Sequence, residues 1–169
     1  LNHPYTRSEY FRIMDKLRAL KKLYRGLEFE DEMVGYLPHC TFNLNPRAAS
    51  IDTPLHAYVP RKYVDHMHPD AIIAIAASKD SRALTQEIFG GEIGWLPWKK
   101  PGYELGLWLE KLAKDNPGLR GAVLESHGLF TWADDAEACY ATTLEIINTA
   151  AAWLEERSAG VPPFGGPAV

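Results

Sequence analysis

Two cysteines among 169 residues, Cys40 and Cys139, are too few for a secreted disulfide framework, and neither sits in a C-x-x-C pair. That scarcity points to a reducing compartment, with both thiols serving as small core hydrophobes. Charge of one sign is scarce as well. The formal net charge is −4 and no basic cluster stands out, which excludes the concentrated cationic surface that a nucleic acid or an anionic membrane requires. No uninterrupted apolar run is long enough to cross a bilayer, and the N-terminus lacks the charged-then-apolar layout of a signal peptide. The expected location is cytoplasmic. Glycine-rich phosphate loops of the G-x-G-x-x-G or Walker type are missing, as are internal repeats. So is an initiating methionine: the chain starts at Leu1, which reads as a processed chain or a piece of a longer one.

What is present organises as a single domain over residues 1–157 and a Pro/Gly-rich tail or linker, "SAGVPPFGGPAV", over 158–169. Apolar residues at Tyr10, Ile13, Met14, Leu17, Leu20 and Tyr24 follow the three-and-four spacing of an amphipathic helix. Thr6 with Glu9 suits its start and Gly26 its stop, and its basic face reads as solvated. From Glu28 to Ser50 prolines and asparagines suggest short strands and loops. Beyond this the pattern alternates. "KYVDHMH" is expected as a strand and "PDAIIAIAAS" as a buried helix with Pro69 at its first position. "EIGWLPW" reads as a strand, and "YELGLWLEKLAKDN" as a helix with Leu105, Trp108, Leu109 and Leu112 inward. "RGAVLE" and "LFTW" read as strands joined by a Ser126-His127-Gly128 turn, and "DDAEACYATTLEIINTAAAWLEER" as a long helix capped by Asp134 and Glu137. Such alternation indicates an α/β layered domain around a mixed sheet.

The stretch "VDHMHPDA" sets two imidazoles at alternate positions immediately ahead of a buried helix. In a strand His66 and His68 project from one face, close enough to share an ion, while the proline after His68 keeps that residue extended at the strand's carboxyl end. Open α/β sheets place their sites there. Catalytic zinc commonly takes three protein ligands at about 2.0–2.2 Å. The third comes from His3, His39, His56 or His127, of which His127 is best placed because Gly128 permits a tight turn after an apolar strand.

The segments "SIDTPLHAYVP", "VDHMHPDAIIAIAAS", "WKKPGYELG" and "LESHGLFTW", in that order, resemble the class II aldolase/adducin family. They are most similar to the aldolase half of the bifunctional rhamnulose-1-phosphate aldolase/lactaldehyde dehydrogenases. The resemblance runs from about Asp15 to about Arg157. It implies a three-layer αβα sandwich with a central mixed sheet, assembled as a homotetramer, and His66, His68 and His127 as ligands of Zn2+ or another divalent transition metal. It also implies Asp52 as metal ligand or base, Ser50 and Gly128 at the substrate-binding positions, and a sugar phosphate as substrate. A dehydrogenase part would lie beyond Val169. The family's glycine-rich phosphate segment upstream of the first helix has no counterpart in "LNHPYTR", so the domain reads as N-terminally shortened.

Retro-aldol cleavage beside a ketone leaves an enediolate, whose charge a divalent cation stabilises. Asp52 is the candidate base for the departing hydroxyl, with a helix cap as its other reading; His56 four residues later shares its helical face but reads as a structural histidine outside the site. Tyr103 is the candidate acid, with packing as its other reading. The expected activity is a lyase giving dihydroxyacetone phosphate and lactaldehyde. A pentulose-phosphate 4-epimerase on the same metal and a non-catalytic adducin-like module are the alternatives.

Overall fold

A computed structural model of the chain describes residues 14–41 and 49–161. They divide into two compact units, one of residues 14–41, 49–60 and 99–117, the other of 61–98 and 118–161.

The first unit is helical. Its described part begins with α1 (residues 14–19), which tightens into a 3-10 turn at Leu20–Lys22. The Gly26 stop falls beyond this, and the Thr6/Glu9 start lies outside the described residues. Of the stretch expected as strands and loops, the part up to Cys40 is helical instead, a correction: a 3-10 turn at Leu27–Phe29, α2 (Glu30–Tyr36) and a 3-10 turn at Leu37–Cys40, while residues 42–48 lie outside the described residues. Met33, Leu37 and Cys40 all turn inward, and it is their burial with Leu17, Leu20, Ala57, Tyr58 and Tyr103 that favours helix over extended chain. α3 (Thr53–Tyr58) packs on α6 (Tyr103–Asp115), at a crossing where a Cβ on Gly106 would meet Pro54 Cβ at 2.9 Å. In α6, Leu105 and Leu109 are buried as expected, whereas Trp108 is 38% exposed, with its ring covered by Lys99 at 4.2 Å and its Nε1 donating to Glu104. The indole's bulk and polar edge suit that half-wet position. The basic face of the first helix is not wholly solvated either: Lys21 pairs with Glu110 at 2.5 Å and lies over the Tyr58 ring.

The second unit is the sheet. Its strands are β1 (Tyr63–Met67), β2 (Ile93–Leu96), β3 (Gly121–Leu124) and β4 (Gly128–Ala133), ordered β1-β4-β3-β2. β1 and β3 pair antiparallel with β4, and β2 runs parallel to β3. The carboxyl ends of β1, β2 and β3 therefore share one end of the sheet. The mixed sheet and α/β class are as expected. β4 is paired on both sides and buried over its length bar Ala133, which is why "GLFTW" reads as a continuous apolar run. Beside the sheet lie α4 (Asp70–Ala76), α5 (Ser81–Phe89) and α7 (Ala136–Ser158), around Ile72, Ile75, Val123, Leu129 and Ile146. Pro69 caps α4 in an extended conformation rather than opening its first turn. α5, an element the sequence reading did not include, sets Leu84, Ile88 and Phe89 against this core and buries Ser81 and Thr85 completely. The N-cap of α7 is Asp135, whose side chain accepts from Ala138 N at 3.0 Å. Asp134 instead accepts from Lys62 N, which corrects the expected Asp134/Glu137 cap. Both cysteines are buried free thiols, and no helix among the described residues is long and apolar enough to cross a membrane.

Candidate metal centre

β1 delivers His66 and His68 as the alternation of a strand requires. His66 pairs across the sheet with Phe130, and their rings stack at 4.0 Å with an 11° interplanar angle. The His66 Nδ1 lies 2.9 Å from Leu129 O, and since a carbonyl only accepts, Nδ1 carries the proton. That tautomer leaves Nε2 as a lone-pair donor, the arrangement by which metal-binding histidines are oriented. His68 follows the last residue of the strand and is exposed, whereas His66 and His127 are half-buried, so the centre opens on the His68 side.

His127 arrives from the hairpin between β3 and β4. Its N–H donates to Leu124 O at 3.1 Å, and the preceding Ser126 N donates to Ala76 O at 2.8 Å. Ser126 has φ 52°, the left-handed region that costs a residue with a Cβ on the order of 1 kcal/mol. The positive φ is thus at Ser126 and not at Gly128, where the turn was expected to need a glycine. Gly128 already belongs to β4 and is required for another reason. A Cβ there would meet His68 Cδ2 at 2.5 Å and Met67 O at 2.8 Å. Its lack of a side chain lets the end of β1 and the His68 ring lie against the start of β4.

The result is one cluster. His66 and His68 have ring centroids 4.4 Å apart, His66 and His127 5.0 Å, and His68 and His127 5.2 Å, and one ligand nitrogen from each lies within 4.8 Å of the others. Three neutral imidazoles suit a zinc-like divalent ion and leave its charge undiminished. The donor set and the fixed His66 tautomer fit such an ion. Of the other candidate ligands, His39 and His56 stand in the first unit, and His3 lies outside the described residues.

The remaining candidates belong to the helical unit. Asp52 precedes α3 at the N-cap position, yet its side chain makes no cap hydrogen bond, and its Oδ1 is buried without a partner. Ser50 supports the same turn: its Oγ accepts from Asp52 N at 3.1 Å and its carbonyl from Thr53 N. His56 is exposed on α3. Tyr103 is 1% exposed, packed against Tyr24 and Tyr58, with its hydroxyl 2.6 Å from that of Tyr58. The Tyr58 hydroxyl also lies 2.7 Å from Leu17 O, which can only accept, so the proton chain runs from Tyr103 to Tyr58 to Leu17. Burial pushes the Tyr103 hydroxyl up to about 12. Its proton is engaged inside the helical core, which is a packing role.

The sequence reading missed Glu30. This carboxylate is 2% exposed and accepts from Tyr103 N and Glu104 N at the start of α6, with Oε2 unpartnered. Gly102, at φ 141°, gives it room. The only sequence signal is a glycine just before a helix.

Comparison with known proteins places these observations. The model of the class II aldolase and adducin N-terminal domain matches residues 26–154. The uncharacterized oxidoreductase YuxG of Bacillus subtilis (strain 168) is 37% identical over 153 residues, which are 90% of this chain but 22% of that protein. The chain thus spans about a fifth of that relative. Among solved structures, the N-terminal class II aldolase domain of a conserved protein from Thermoplasma acidophilum is 30% identical, with a TM-score of 0.73 over 83% of this chain and 64% of that one. A sugar-phosphate aldolase from Thermotoga maritima shares the fold at 17% identity, with a TM-score of 0.58 over 69% of this chain and 58% of that one.

Proposed function

We infer that this chain, which belongs to the class II aldolase and adducin family, is a metal-dependent lyase that cleaves a ketose 1-phosphate, rhamnulose 1-phosphate, into dihydroxyacetone phosphate and lactaldehyde. The observation that carries the reading is the His66, His68 and His127 cluster at the carboxyl ends of the strands. A Zn2+ ion held by those nitrogens would supply Lewis-acid stabilisation of the charge that develops on the ketone and hydroxyl oxygens.

The chain's own residues have definite parts in this proposal. His66 is held in the tautomer that donates through Nε2, and the open side at His68 admits the sugar. By its place in the family pattern, Asp52 is assigned as the base that takes the proton from the hydroxyl of the departing carbon as the carbon–carbon bond breaks, and protonation of the enediolate left behind completes dihydroxyacetone phosphate. A carboxylate that sits at a helix start without capping it, one oxygen buried and unpartnered, is available for such work. The Ser50 hydroxyl is assigned to the substrate phosphate, beside the same turn. Tyr103 is given no proton transfer, because its hydroxyl is engaged with Tyr58.

Two relatives support the choice of substrate class. One neighbour in fold is a sugar-phosphate aldolase. The Bacillus relative bears the name of an oxidoreductase and is several times longer than the matched region, which suits an aldehyde product handed on to a redox step. The test is to load the chain with zinc, supply rhamnulose 1-phosphate and measure lactaldehyde. Lactaldehyde release above the metal-free control is the expected result. Epimerisation of a pentulose phosphate supplied in a parallel assay, with no lactaldehyde from rhamnulose 1-phosphate, would favour a 4-epimerase, and bound metal with neither product a non-catalytic module.

A further inference from the structure

Hydrogen bonds that hold the turn carrying His127 include three between main-chain groups: Glu125 N to Leu96 O at 2.9 Å, Ser126 N to Ala76 O at 2.8 Å and His127 N to Leu124 O at 3.1 Å. Residues of almost any kind supply those. A further one needs a particular side chain, because Trp98 N donates to Glu125 Oε2 at 2.7 Å.

The position of that side-chain bond is informative. β2 and β3 run parallel with Leu96 opposite Leu124. In a parallel ladder a residue donates its N–H to one neighbour on the next strand, and its carbonyl accepts from the residue two further along. Glu125 obeys the first half, donating to Leu96 O. The second half would bring Trp98 N to the Glu125 carbonyl, but Trp98 N goes to the carboxylate. The side chain stands in for the main chain, and the Glu125 carbonyl leaves the ladder. The chain then turns through the left-handed Ser126 one residue later.

We propose that Glu125 is a positioning residue for His127. Its carboxylate serves as the last acceptor of the β2–β3 ladder, so that the backbone leaves the sheet at residue 125 and sets the His127 imidazole beside His66 and His68. The proposal rests on the metal-centre reading above and adds to it a residue assigned neither to the metal nor to substrate. A shorter or apolar side chain leaves Trp98 N to recapture the carbonyl, which draws the turn back along the sheet and moves His127.

Glu125→Ala and Glu125→Gln separate acceptor from charge, since glutamine keeps a carbonyl oxygen at the same reach. The probe is cobalt(II), titrated into the full chain, with affinity measured by chelator competition and coordination geometry read from its visible bands. Unfolding of the metal-free proteins reports structural damage separately. Glu125→Ala is expected to bind cobalt(II) roughly 10–100-fold more weakly, as for other groups that support a metal ligand, and with altered bands. Glu125→Gln should stay within a few-fold of the parent with the parental bands. Parental affinity and bands in Glu125→Ala would overturn the proposal, and so would an equal loss in both variants, which would assign the effect to charge. A parent that binds no cobalt(II) would remove the metal reading, and the proposal with it. That outcome is distinct from a parent that binds and an alanine variant that binds equally well.

Discussion

A Cβ built on Gly128 would lie 2.5 Å from His68 Cδ2 and 2.8 Å from Met67 O, so a Gly128→Ala chain must displace either the imidazole or the end of β1. Overpacking of this kind costs about 1–3 kcal/mol, and here it falls on a proposed ligand. The expected outcome is a lower urea midpoint together with weakened zinc binding, measured by chelator competition. Asp52→Asn should behave in the opposite way. Asparagine matches aspartate in size, and there is no cap bond to lose, so stability should hold while turnover falls by roughly two to four orders of magnitude, the usual contribution of a positioned base. Parental turnover in that variant would return Asp52 to a structural role. Glu30 carries a pH signature. Burial pushes its carboxyl above the ordinary 4.5, aided by Glu104 and opposed by the two backbone N–H donors and Lys100. The folded state therefore holds this proton to higher pH than the unfolded chain. Its contribution to stability is greatest below pH 4.5 and declines as the pH rises from there through the raised value. Urea midpoints across that window should fall less steeply with pH in Glu30→Gln than in the parent.

Among the elements, α7 gives a clean comparison because two adjacent aspartates compete for its cap. Asp135 accepts from Ala138 N, and Asp134 accepts at 3.3 Å from Lys62 N in the segment before β1. Asp135→Ala should cost about 1 kcal/mol, the usual loss of a helix cap, and Asp135→Asn very little. Asp134→Ala should cost clearly less than Asp135→Ala in the same denaturant series. Equal losses would mean that capping does not set the start of this helix. The β3–β4 hairpin and the β1–β4 pairing matter more for the site than any helix, since the register His66↔Phe130 and Leu124↔Gly128 is what brings the two histidine-bearing segments to one end of the sheet.

For the whole molecule, the aromatic surface bears on assembly. Trp98 is 59% exposed, Trp108 38% and Tyr140 62%. Large aromatic side chains on a surface are enriched at subunit interfaces, where their area is removed from water. We expect a homo-oligomer, a tetramer by resemblance to the family, seen by sedimentation at micromolar concentration. A monomer under those conditions would contradict it. Supplying zinc should raise the thermal midpoint of the parent, because an ion that binds only the folded state stabilises it. In His127→Ala that shift should shrink or vanish.

The residues that determine the α/β class and the H-x-H part of the candidate metal centre stand in short sequence spans. An H-x-H on a strand, a proline that ends it and an apolar helix behind it are local facts, set by the two-residue period of a strand and the fixed φ of proline, and a linear chain displays them directly. What only the tertiary structure decided depends on residues far apart in the chain. His127 joins His66 because β4 lies between β1 and β3. Tyr103 is a core residue because Tyr58 and Leu17 receive its proton chain, and residues 27–40 are helical because Met33, Leu37 and Cys40 find a common core. Gly128 looks like a turn glycine in the sequence, yet its requirement comes from the closeness of His68, sixty positions earlier. Such choices rest on burial and contact, which are properties of the packed molecule, and propensity along the chain gives way wherever packing rewards another arrangement.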